Sequence, residues 1–124
     1  MELLGGLMMK RKLSNFNDGV LHYGTIKTKR NELKEKVGLE FVESGFLFFD
    51  FKQIRQEDTE IYDIGKDQTS NLKVQTYYVD GIDKNVQKVV YKNDYYEVKN
   101  IDPSNDRKTM FWYLTKKGSL NEIQ

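Results

Sequence analysis

Beyond Asn17 the chain alternates apolar and polar residues with a period of two, the mark of strands with one face in a core. Gly19 to Lys29 (GVLHYGTIKTK) sets Leu21, Tyr23 and Thr25 on one face together with Lys27. Phe46 to Arg55 (FLFFDFKQIR) sends Leu47, Phe49 and Phe51 one way and Phe48, Asp50, Lys52 and Ile54 the other. It reads as the central strand. Phe46 and Phe48 on its second face imply that this face is also partly covered, by another sheet layer or by a neighbouring subunit. Lys29 to Lys36 is the one stretch that offers a helix-like turn.

From Gln56 to Asn71 (QEDTEIYDIGKDQTSN) the period fails, and only Ile61, Tyr62 and Ile64 interrupt a polar run. The pattern predicts a long loop, of the length that compact domains reserve for function or leave unstructured. Leu72 to Val79 is a strand closed by the Asp80-Gly81 turn. Val86 to Tyr91 and Tyr95 to Ile101 flank Lys92-Asn93-Asp94, where Asn and Asp tolerate the positive φ of a tight hairpin. Asp102-Pro103 stops a ladder, because proline lacks the amide donor, and Ser104-Asn105-Asp106 extends the turn. Met110 to Thr115 (MFWYLT) is the last strand.

Short antiparallel strands at this spacing give an all-β fold, a small antiparallel β-barrel of five to six strands with one long loop and little helix. Closure also removes the sheet edges that segments as aromatic as FLFFDF and MFWYL would expose. The expected organisation is a flexible N-terminal leader over 1–12, a single barrel domain over 13–117 and a polar C-terminal tail over 118–124. The leader carries a particular signal. Leu3-Leu4-Gly5-Gly6-Leu7 stands just ahead of Met8-Met9, and codons for Leu-Gly-Gly can spell a bacterial ribosome-binding site, so translation is expected to start naturally at Met8 or Met9.

Composition narrows the chemistry. A length of 124 residues makes one domain, large enough to hold a core without a disulfide or metal staple. No cysteine rules out thiol nucleophiles, thiolate metal sites and disulfide scaffolds, and a single histidine, His22, rules out multi-histidine metal centres. Twenty Lys and Arg against nineteen Asp and Glu leave a net charge of +1, so no global field draws the chain to nucleic acid or anionic lipid. No apolar run reaches the roughly 18 to 20 residues that cross a bilayer. Glu57, Asp58, Glu60 and Asp63 form an acidic cluster without the spacing of a calcium loop. His22 has no Ser or Cys nucleophile in recognisable context. No catalytic set, metal site or cofactor is therefore expected.

Two binding readings survive. Tyr77, Tyr78, Tyr91, Tyr95, Tyr96 and Trp112 interleave with Lys73, Lys88, Lys92 and Lys99, as in small barrels that bind oligonucleotides, although tyrosines on half-buried strands more often pack than stack on bases. Aromatics on both faces of the strands, with balanced charge, also suit a subunit whose surface becomes interface in a ring.

The order of elements in the second half adds a resemblance. Lys52 to Asp58 (KQIRQED) at a strand end, the long loop, Thr76 to Lys84 (TYYVDGIDK), Val89-Val90-Tyr91, the turn, and Tyr95 to Pro103 (YYEVKNIDP) before a final strand resemble the head-closure, or head–tail joining, proteins of tailed bacteriophages of Gram-positive hosts. The resemblance runs from about Leu13 to Lys117, and departs from the family at Gln75 to Tyr78, where many members carry an arginine. It implies a structural protein of the virion neck, made in the host cytoplasm, that forms a dodecameric ring beneath the portal and adaptor and receives a tail completion protein. Packaged double-stranded DNA would pass through the ring, gated by the loop. The gating residues it implies are Gln56, Glu57, Asp58, Thr59, Glu60, Ile61, Tyr62 and Asp63. The isolated protein is expected to be a monomer in dilute solution, with the loop mobile until identical loops meet it.

Overall fold

In a computed structural model of the protein, residues 16–67 and 69–120 are described. The expected leader lies outside the described residues. Six strands follow one another as β1 (Gly19–Arg30), β2 (Lys36–Lys52), β3 (Asn71–Tyr77), β4 (Lys88–Tyr91), β5 (Asp94–Pro103) and β6 (Thr109–Ser119), with one helix, α1 (Gln56–Tyr62), between β2 and β3. They close into a barrel in the order β1-β2-β3-β6-β5-β4, every neighbouring pair antiparallel. The expected all-β class and strand number hold.

Alternation fills the barrel interior. Val74 faces Trp112 across the β3–β6 ladder, with Leu72 opposite Leu114 and Thr76 opposite Met110, and these side chains join Leu21, Phe49, Val89 and Val98 in one core. Trp112 is wholly buried, and its indole N–H donates to Thr76 Oγ1 at 2.9 Å, which satisfies the one polar group the ring carries inward.

Turn chemistry sets the connections. Gly81 takes φ 82° in the Asp80-Gly81 turn, where a side chain would be strained. The β4–β5 hairpin turns on Lys92 and Asn93, and the positive φ falls on Lys92 (56°) rather than on the Asn or Asp that the sequence favours for it. Asp102 and Pro103 do extend the β5–β6 ladder, at its terminal pairs, where a missing amide costs little. The last strand runs to Ser119, so Gly118 and Ser119 pair with Tyr95 and Asp94 instead of beginning a tail. Residues 121–124 lie outside the described residues.

The larger departure is β2. The expected helix-like turn at Lys29 to Lys36 is the tip of a long β1–β2 hairpin, and β2 begins ten residues before Phe46. A bulge between Tyr23 and Gly24 skips Ser44, and Gly24 permits it: a Cβ there would lie 2.1 Å from the Val42 carbonyl oxygen. From Lys27 to Glu40 every residue except Gly38 is exposed, so this part of the hairpin stands clear of the barrel as an arm.

Thr76→Val keeps the shape of the core but removes the acceptor for Trp112. The expected cost is about 1–3 kcal/mol, the penalty of an orphaned buried donor, read as a lower denaturant midpoint at unchanged slope. Thr76→Ser should retain most of that stability.

Candidate channel-facing helix and its anchor

The segment expected to be a loop without structure of its own begins with α1, and the helix is fastened to the outside of the β3–β6 wall. Because Val74 and Trp112 point inward, their neighbours Lys73 and Tyr113 point outward, directly opposite each other. Ile54, Tyr62 and Ile64 cover Tyr113 there and make a second, smaller core with Phe111. Tyr62 stacks on Tyr113 with ring centroids 4.1 Å apart.

Asp58 is the polar centre of this packing. Its side chain is 3% exposed and the Lys73 side chain 5%, with Lys73 Nζ donating to Asp58 Oδ2 at 2.9 Å. The Arg55 backbone N–H donates to the same oxygen at 2.9 Å, closing the first turn of the helix, and the Tyr113 hydroxyl donates to Oδ1 at 3.5 Å. Lys73 Nζ also lies over the Phe111 ring, 4.9 Å from its centroid. Burial pushes the Asp58 carboxyl up. The Arg55 N–H, the Lys73 hydrogen bond and the two positive charges outweigh it and hold the carboxyl below the usual aspartate value. Burial first, then the charge of Asp58, pushes the Tyr113 phenol well above its ordinary range, so it remains a donor.

The eight residues expected to gate a channel thus divide by what they touch. Asp58 and Tyr62 face the barrel and hold the helix. Thr59 Oγ1 donates to the Gln56 carbonyl at 2.6 Å, and the Gln56 amide reaches Glu60 at 3.4 Å. Glu57, Glu60, Ile61 and Asp63 remain at the surface: Glu57 sits 3.2 Å from Arg55, Ile61 is 69% exposed, and the Asp63 side chain is 99% exposed. Asp63 takes φ 54° as the residue that ends the helix. Buried Ile64 pins the chain just beyond. The four carboxylates that sequence grouped as a cluster do not converge, and among the described residues no group of three or more His, Asp or Glu could hold a metal. Lys73 is the residue that sequence reading assigned to another role, as part of a nucleic-acid surface. Its place opposite Tyr113 on a doubly covered wall could be found only by knowing that α1 lies there.

The aromatic surface proposed for stacking on bases is also taken apart. Trp112 and Tyr96 are buried in the core, whereas Tyr78 lies beneath Arg107 and Tyr91 beneath Lys92. The exposed aromatics are elsewhere, on the outer face of β2, where Phe46 is 56% and Phe48 55% exposed. His22 lies beside Phe46 and its Nδ1 is 2.9 Å from Glu43 Oε1.

The chain matches no protein-family model and no curated protein. Among solved structures it is similar to the solution structure of protein SF1141 from Shigella flexneri 2a, at 8% identity and a TM-score of 0.58, over 81% of this chain and 92% of that one. At that identity the likeness is one of fold alone.

Asp58→Asn leaves the Lys73 ammonium buried without its counter-charge and should cost about 3–5 kcal/mol in chemical denaturation. Asp58→Leu combined with Lys73→Met should recover most of the loss, because the pair is then replaced by apolar contacts. The pH dependence has a definite sign. A carboxyl held below its unfolded value of about 3.9 contributes its full stabilisation above that pH and loses it as pH falls through the folded value. The unfolding free energy of Asp58→Asn should therefore fall less steeply below pH of about 4 than that of the parent protein.

Proposed function

We propose that the protein is a structural subunit of a phage neck that closes the DNA-filled head beneath the portal and adaptor and offers a docking surface to a tail completion protein. The observation that carries this reading is a small closed barrel whose most exposed apolar residues, Phe46 and Phe48, lie on one outer face continuous with an arm that stands clear of the core. A lone enzyme or carrier of this size has no use for such a surface, whereas a subunit does. The resemblance over Leu13 to Lys117 in order and spacing supports the same reading. No helix among the described residues is long and apolar enough to cross a membrane.

In this reading α1 faces the DNA channel. Its exposed carboxylates, Glu57, Glu60 and neighbouring Asp63, repel a polyanion, and repetition around a dodecameric ring multiplies each weak contact. Retention of DNA is then steric and electrostatic rather than adhesive. Ring formation awaits the portal platform, so the free subunit is a monomer in dilute solution and works in the host cytoplasm until it enters the virion. The oligonucleotide-binding reading ranks below this one, because the side chains it needs for stacking include two that are buried.

Electron microscopy of particles from a phage or induced prophage with the gene disrupted tests the reading. Packaged heads that leak DNA and accumulate beside free tails are the expected result. Normal virions overturn it. Glu57→Lys with Glu60→Lys should leave tails attached while altering DNA retention, because neither residue anchors the helix.

A further inference from the structure

The barrel closes with little overlap on either side of the β1–β2 hairpin. β4 covers β1 only from His22 to Gly24, and β3 covers β2 only from Asp50 to Lys52. Among the described residues no strand pairs with the outer edge of β1 from Thr25 to Arg30, or with the outer edge of β2 from Lys36 to Phe49. An exposed two-stranded ribbon is marginal in water, and a free edge of this length is a template for another strand.

The side chains along the ribbon say what kind of strand fits. The pairings Val20–Phe48, His22–Phe46, Ile26–Phe41 and Thr28–Leu39 place Phe48, Phe46, Phe41 and Leu39 on one face, in an apolar stripe that runs from the barrel wall out along the arm. The opposite face carries Lys27 and Lys29 on β1 and Glu40 on β2. If a second arm is laid beside the first, pointing the same way, β1 of one copy meets β2 of the next, and because β1 and β2 run oppositely the new pair is antiparallel. Apolar positions then extend the apolar stripe, and on the other face the lysines of β1 meet the glutamate of β2. The arm is complementary to a copy of itself, edge to opposite edge.

We propose that the β1–β2 arm is an assembly surface that pairs with the arm of a second copy of this chain, the free edge of β1 in one copy adding to the free edge of β2 in the next. Such a contact is heterologous, so it continues from copy to copy and closes as a ring or extends as a filament. The inference deepens the proposed ring and rests on that reading only for closure; the pairing itself depends on the edges.

The chain has no cysteine, so an introduced thiol is unique. Thr28→Cys protein is mixed, concentrated and oxidised in turn with Leu39→Cys, Phe41→Cys and Glu43→Cys protein, positions that share one face of the hairpin. The expected result is a disulfide-linked heterodimer in at least one mixture, resolved by mass, that exceeds the two homodimers together. Homodimers in equal or greater amount overturn the proposal, since they indicate chance encounter or an isologous contact. So does a heterodimer yield no higher than that of a control pair, Asn85→Cys with Asp106→Cys, at exposed sites on other turns. That last outcome leaves the edges to a different protein or to another segment of the same chain. A positive cross-link together with normal gene-disrupted virions removes the head-closure reading and leaves the arm pairing standing.

Discussion

Burial of β6 on both faces is the constraint from which the rest of the molecule follows. Its inward residues, Met110, Trp112 and Leu114, fill the barrel, and its outward Tyr113 is just as buried, beneath α1 and the chain on either side of it. A strand covered on both faces cannot be displaced without opening two cores. Its neighbours β3 and β5 are held along nearly their whole length by long ladders to it, whereas the β1–β2 hairpin meets the remainder of the barrel through only short overlaps. Rigidity is concentrated at one wall and falls away toward the arm.

Covering the outer wall requires something to be done with Lys73, which the strand register directs into the apolar cover. The solution is a carboxylate brought by α1 itself. Asp58 sits at the third position of a seven-residue helix, too short to persist on propensity alone, and from there it closes the first turn through the Arg55 N–H while neutralising Lys73. The helix and the ion pair stabilise each other. In energetic terms such a pair adds little over an apolar replacement, but breaking it is expensive, so what it secures is the placement of α1 rather than the stability of the barrel. The residues left outward, Glu57, Glu60 and Ile61, are thereby presented in a fixed arrangement.

The parts of this architecture that the sequence reveals are those in which one face of an element is buried and the other is not. β1, β3, β5 and β6 alternate, their turns carry Gly81, Asn93 or Pro103, and their order implies a barrel. The parts that stay hidden are those in which both faces share one environment. From Lys36 to Glu43 the arm meets solvent on both sides and a bulge shifts the phase, so Val37, Leu39, Glu40 and Phe41 show no period of two. In α1 the apolar contacts come from Ile54, Tyr62 and Ile64, at or beyond the ends of the helix, and the central inward residue is a charged one, so no 3.6-residue period arises and the segment reads as a loop. The expectation that Phe46 and Phe48 are covered fails within the single chain for a related reason. The layer that covers an outer face was taken to lie over β2, and α1 lies over β3 and β6 instead.

That displacement is informative about how the chain uses its surface. One outer wall is sealed by the protein's own helix, and the wall that remains open carries Phe46 and Phe48 and leads into an arm with two unsatisfied edges. Exposed aromatics and free edges on one surface are each an aggregation hazard for a monomer, and natural chains commonly blunt such edges with lysine or proline. Here the tip of the arm is rich in charge, with Lys29, Arg30, Lys34 and Lys36 among Glu32 and Glu35, whereas the stretch from Leu39 to Phe48 is not. The protection is placed at the tip and omitted along the edge. A chain that needed only to remain a monomer would place it the other way round, so the arrangement favours a surface that stays soluble alone and is completed by a neighbour.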